Sequence, residues 1–86
     1  MTKYKTITLW EPAIAEKEFH DCVDYQIKLL TAQGKTDGTT VVTRPKPYQR
    51  LVERIWIDLE SAQAWTDWLD TTLWPKAKES KILACE

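Results

Sequence analysis

Glycine is scarce: Gly34 and Gly38 are the only two in 86 residues. A glycine-rich loop that wraps phosphates with backbone N–H groups is thereby excluded. No apolar run approaches the ~20 residues that a membrane-spanning helix needs. The opening Met1-Thr2-Lys3-Tyr4-Lys5 has no apolar block of a secretory leader. There are two cysteines, Cys22 and Cys85, without CxxC spacing. They lack the density of a disulfide scaffold, so reduced thiols in a cytoplasmic protein are expected. An excess of positive charge is missing as well: 12 Lys and Arg face 13 Asp and Glu, for a net charge of -1. A domain built to grip phosphate backbones is usually basic, so nucleic acid is a disfavoured partner. No Ser-His-Asp or Cys-His motif occurs, and nothing points to a bound cofactor.

The composition, 43% hydrophobic and 29% charged, is that of an ordinary globular chain. The length fits a single domain, residues 1–86. A domain this small buries only about two thirds of its unfolded surface and gains from a partner subunit. Five tryptophans are more aromatic surface than one small core easily hides.

Tyr4 to Trp10 is rich in β-branched and aromatic residues and reads as a strand. Pro12 then suits the mouth of a helix over Ala13 to Gln33. Ala15, Phe19, Cys22, Val23, Ile27 and Leu30 form its apolar stripe. Gly34 supplies a left-handed cap, and Asp37-Gly38 turns the chain. Thr39 to Arg44 and Arg50 to Asp58 read as an antiparallel hairpin. Asp58 is the expected N-cap of a second helix whose stripe is Ala62, Trp65, Leu69 and Leu73. Trp74-Pro75 ends it. Lys81 to Cys85 reads as a short fourth strand in preference to a helix begun by Pro75. The resulting βαββα(β) order predicts an α+β fold, an antiparallel sheet with two helices on one face.

Alternation assigns the sheet faces. With Ile7, Leu9, Ile55 and Ile57 toward the helices, Tyr4, Thr6, Thr8, Trp10, Val52, Arg54 and Trp56 point away. That second face is too apolar for a solvated one, which predicts an interface built from Tyr4, Thr8, Trp10, Val52, Arg54 and Trp56. A rival use of the same face is base stacking by Trp10 and Trp56, as in RNA-recognition motifs. The glycine- and aromatic-rich third-strand signature of that family is absent from Arg50 to Trp56.

Other positions carry two readings each. Arg44, Lys46, Tyr48 and Arg50 surround the hairpin tip, where they dock an acidic partner or simply solvate a hairpin end. Glu16, His20 and Asp24 lie along one side of the first helix, without HExxH spacing. A half-exposed His20 paired with Asp24 is expected, and a metal site is not. Gln26 falls in the middle of the apolar stripe, where it either bonds a core backbone group or lines a cavity between helix and sheet. Cys22 is expected to be inert and buried beside it. Cys85 has no basic neighbour that would activate it.

The segment Arg54-Ile-Trp-Ile-Asp-Leu-Glu-Ser-Ala-Gln-Ala-Trp65 runs from a strand through an acidic cap into a helix with Ala and Trp on its core face. In this pattern the chain resembles the ferredoxin-like group, and within it the dimeric α+β barrel proteins. These include antibiotic-biosynthesis-type monooxygenases and stress-responsive barrel proteins. Glu60-Ser61-Ala62-Gln63-Ala64-Trp65 is also similar to small bacteriophage-encoded proteins. The barrel resemblance implies a homodimer paired sheet to sheet, with a ligand cavity between helices and sheet. It supplies no catalytic motif, so no catalytic residue is assigned. The expected function is a non-catalytic, homodimeric binding module for a protein partner or small ligand. The alternative is a cofactor-free enzyme of the barrel monooxygenase type, with Gln26, His20 and Trp65 lining the pocket.

Overall fold

The computed structural model describes residues 2–12, 16–73 and 76–85. In chain order the elements are β1 (Lys3–Trp10), α1 (Lys17–Ala32), β2 (Thr36–Thr43), β3 (Arg50–Trp56), α2 (Leu59–Thr72) and β4 (Glu79–Cys85). The strands make one antiparallel sheet in the order β2-β3-β1-β4. The fold is therefore α+β, and the last apolar stretch is a strand. The expected helix start at Ala13, the stripe residue Ala15 and the stop at Trp74-Pro75 lie outside the described residues.

Local chemistry explains the element ends. At the close of α1, Gly34 takes φ 75°. Its N–H donates to the Thr31 carbonyl and the Lys35 N–H donates to the Leu30 carbonyl. These two bonds satisfy carbonyls that the last helical turn leaves free, at a backbone angle glycine adopts without strain. At the start of α2, the Asp58 carboxylate accepts from the Ser61 N–H at 2.7 Å. Asp37-Gly38 does not separate a helix from a strand, as expected, but lies within β2. The ladder jumps from Thr36↔Trp56 to Thr40↔Arg54, so β2 holds extra residues there. Gly38 at φ 83° and the Thr39 N–H donating to Asp37 Oδ1 at 2.8 Å form that bulge.

The Ser61 hydrogen bond holds the Asp58 carboxyl below the usual carboxylate range. Its pKa is lower folded than unfolded, so the cap's contribution is present above the unfolded value. It is lost as pH falls through the folded value. Asp58→Ala should lower the melting temperature near neutral pH. The gap to the parent should close as pH falls from the ordinary carboxylate range through the lowered folded value. Melting curves across that range check this, and a gap independent of pH would contradict it.

The core sits between the helices and one sheet face. Trp10, Val52, Trp56, Ala62, Trp65, Leu69 and Leu73 are buried together, with Phe19, Val23, Ile27 and Leu30 of α1 packed against them. This reverses the expected assignment of faces. The registers Tyr4↔Trp56, Thr6↔Arg54 and Thr8↔Val52 put all the expected interface residues on the helix side. Trp56 is only 1% exposed. Two contacts explain the inversion. The Trp56 indole N–H donates to Thr6 Oγ1 at 2.9 Å, so the threonines that suggest a wet face instead satisfy a buried donor. The Trp56 ring also packs on Trp65 at 5.4 Å, beside the small Ser61 and Ala62 of α2. Large rings thus fill the layer where α2 presents small residues.

Lys5, Ile7, Leu9, Leu51, Glu53 and Ile55 consequently occupy the opposite face. Ile57, expected to face the helices, lies beyond β3 and is exposed.

Candidate functional site

β3 is the strand that builds the site. Arg50, Val52, Arg54 and Trp56 share the helix-facing side, because alternate strand residues point the same way. Between α1 and the sheet, Arg50, Val52 and Arg54 border a cavity of about 40 Å³. Thr6, Thr8, Trp10 and Val52 are its floor, Phe19, His20, Val23 and Asp24 its α1 wall, and Trp65 and Leu69 its α2 wall. The aromatic walls are ordered by edge-to-face contact: Trp10 meets Phe19 at 5.1 Å, and Phe19 meets His20 at 5.6 Å. Farther along α2, Trp65 stacks on Trp68 at 5.1 Å.

Two guanidinium groups charge this cavity. Arg50 Nη1 lies 3.1 Å from His20 Nδ1. A guanidinium can only donate, so the imidazole nitrogen accepts. Arg54 Nη1 donates to Thr40 Oγ1 at 2.7 Å, and its Cζ lies 5.4 Å from the centre of the Trp65 ring. Burial pushes the Arg54 guanidinium down to about 10, Asp24 opposes that shift and Arg50 adds to it. Arg54 stays charged at neutral pH, half-buried beside a second positive charge.

The structure redistributes the expected site residues. His20 and Trp65 do line one cavity. Gln26 is half-buried and does not line it. The 100° wheel puts Gln26 on the stripe, but none of the α1 residues is buried, so the amide keeps access to water. For the same reason Cys22 is exposed, not buried in the core as expected. Arg50 leaves the hairpin tip: it opens β3 and turns into the cavity. Arg44, Lys46 and Tyr48 remain exposed at the tip, where Lys46 Nζ sits 5.8 Å from the Tyr48 ring centre.

Tyr4 is half-buried against the core, Thr8 is buried in the cavity floor and Arg54 is half-buried in the cavity. Trp10 and Trp56 are core residues and offer no open stacking platform. Among the described residues no group of three or more His, Cys, Asp or Glu side chains could hold a metal ion. Sequence reasoning missed the pairing of Arg50 with Arg54. Their spacing of four on a strand, an even number, is the signal that places both on one face with Val52 between them.

The open sheet face is the second surface of note. Ile7, Leu9 and Leu51 line a groove of about 490 Å³, bordered by Glu53, Glu79, Ser80 and Lys81. Val41 and Leu83 extend its apolar surface to both edge strands, 47% and 46% exposed. Lys5 and Glu53 form an ion pair across the centre of this face at 3.2 Å. No helix of the described residues is long and apolar enough to cross a membrane. No family model, curated protein or solved structure matches the chain.

Proposed function

We propose that the chain is a ferredoxin-like binding module of the reducing cytoplasm. It works as a homodimer paired through the open sheet face and receives a small ligand in the cavity between α1 and the sheet. The observation that carries this reading is the aliphatic surface of Ile7, Leu9, Leu51, Val41 and Leu83 on the face opposite the core. A solvated antiparallel face is normally polar. A second copy suits this surface because its charges have both signs: Lys5 and Lys81 lie among Glu53 and Glu79. A two-fold axis would bring one copy's lysines toward the other's glutamates while the aliphatic centres meet. Sedimentation equilibrium should give twice the chain mass at micromolar concentration. A monomer at several hundred micromolar would contradict the reading.

A cofactor-free enzyme of the barrel monooxygenase type is the second reading. It draws support from His20 and Trp65 lining the same cavity. Dioxygen consumption with a bound aromatic substrate would favour it. Saturable binding without consumption favours the module.

A further inference from the structure

We propose that the cavity between α1 and the sheet binds the carboxylate of a small aromatic acid, held between the guanidinium groups of Arg50 and Arg54. The proposal rests on the reading of the domain as a ligand-binding module and names the class of ligand.

Three observations lead to it. The first is unspent donor capacity. Each guanidinium has five N–H donors. Arg50 contacts the His20 ring, and Arg54 contacts the Thr40 hydroxyl and the face of Trp65; none of these partners carries a negative charge. Among the described residues neither guanidinium has a carboxylate within ion-pair distance. Asp24 acts on Arg54 through its field alone.

The second is electrostatic. Two like charges sharing a partly desolvated site repel each other, and burial disfavours the charged form of Arg54. An anion between them relieves both costs. Charge-assisted bonds to a carboxylate are among the stronger hydrogen bonds, and the flat fork of arginine matches its two oxygens.

The third is size and lining. About 40 Å³ exceeds the ~10–15 Å³ that one water needs on the same measure, which leaves room for a carboxylate but not for a whole aromatic ring. Trp10, Phe19 and Leu69 give the same cavity apolar walls, which suit an aromatic body attached to that carboxylate. Admitting that body requires the α1 wall, the less buried of the two helices, to shift outward. None of the α1 residues is buried, whereas α2 buries Ser61, Ala62, Trp65 and Leu69.

The test is calorimetric titration of the intact protein with benzoate, benzamide and inorganic phosphate. Side-chain NMR of the arginine Nε–H and tryptophan Nε1–H groups reads out the location. Benzoate should bind at least ten-fold more tightly than neutral benzamide and shift the resonances of Arg50, Arg54 and Trp65. Inorganic phosphate should not displace it. Arg54→Gln and Arg50→Gln should each weaken benzoate binding at least ten-fold. Arg54→Gln removes one of two repelling charges together with the Thr40 bond and the Trp65 contact, so its melting curve is recorded to show that the variant is folded. Should Arg54→Gln fail to fold, Arg50→Gln carries the same comparison.

Equal binding of benzoate and benzamide would overturn the proposal while leaving a ligand-binding cavity intact. Displacement of benzoate by phosphate would overturn the choice of carboxylate. Absence of benzoate binding would overturn the proposal. A monomeric protein, seen independently by sedimentation, would instead contradict the homodimer reading.

Discussion

Trp56→Ala is expected to leave the domain largely unfolded. The indole is almost completely enclosed, packs on Trp65 and donates its N–H to Thr6. Truncating a buried tryptophan to alanine costs about 3–5 kcal/mol. Loss of the indole donor strands the buried Thr6 hydroxyl, at a further cost of about 1–3 kcal/mol. A chain of 86 residues has a total stability of roughly 4–13 kcal/mol. The loss therefore takes a large part of what is available. Trp56→Phe keeps a ring in the layer but removes the donor, so it should fall between parent and alanine variant. Urea denaturation measures both. A cost below about 1 kcal/mol for Trp56→Ala would place that indole outside the core, contrary to the fold described.

Leu51→Lys should do the opposite, abolishing self-association while the domain stays folded. Leu51 is half-buried on the open face, opposite Leu9 on β1 and Thr43 on β2. Neither cross-strand neighbour is charged, and Lys81 on the groove rim is accompanied by Glu53 and Glu79, so the new lysine can reach water in the monomer without a net like-charge penalty. In a sheet-to-sheet dimer it would be buried without a partner charge. That penalty is several kcal/mol. The dimer dissociation constant should rise at least 100-fold, about 2.8 kcal/mol at ten-fold per 1.4 kcal/mol. Sedimentation velocity on the variant should show the monomer, with a urea midpoint close to that of parent protein compared at monomeric concentration. Trp56→Glu makes the contrast: it should unfold the chain, not release folded monomers.

Much of the architecture is legible in the residues themselves. β-branched and aromatic residues mark β1 and β3, and Asp58 followed by an acidic first turn marks the start of α2. The cap at Gly34 is equally plain. The face of the sheet is not, because β1 and β3 are apolar on both sides. Ile7 and Leu9 lie on one, Trp10, Val52 and Trp56 on the other. Hydrophobic alternation decides which residues share a face but not which face meets the helices. Side-chain volume decides it here: Trp56 fills the layer beside Trp65, Ser61 and Ala62, and Thr6 supplies its hydrogen-bond acceptor.

The cavity is legible in part for the same reason. His20 and Trp65 lie on helix faces that any inward packing brings together. Arg50 and Arg54 enter the cavity only once the sheet face is inverted. Cys22 and Gln26 show the limit of helical periodicity, since a stripe gives direction and not depth.

Isotope-filtered nuclear Overhauser spectra tell the open-face dimer apart from every other arrangement most directly. The sample is an equal mixture of uniformly labelled and unlabelled protein. Intermolecular peaks should connect the methyl groups of Ile7, Leu9, Leu51, Val41 and Leu83, with none to the indoles of Trp10 and Trp56. Intermolecular peaks to those two indoles, or no intermolecular peaks at millimolar concentration, would contradict the account.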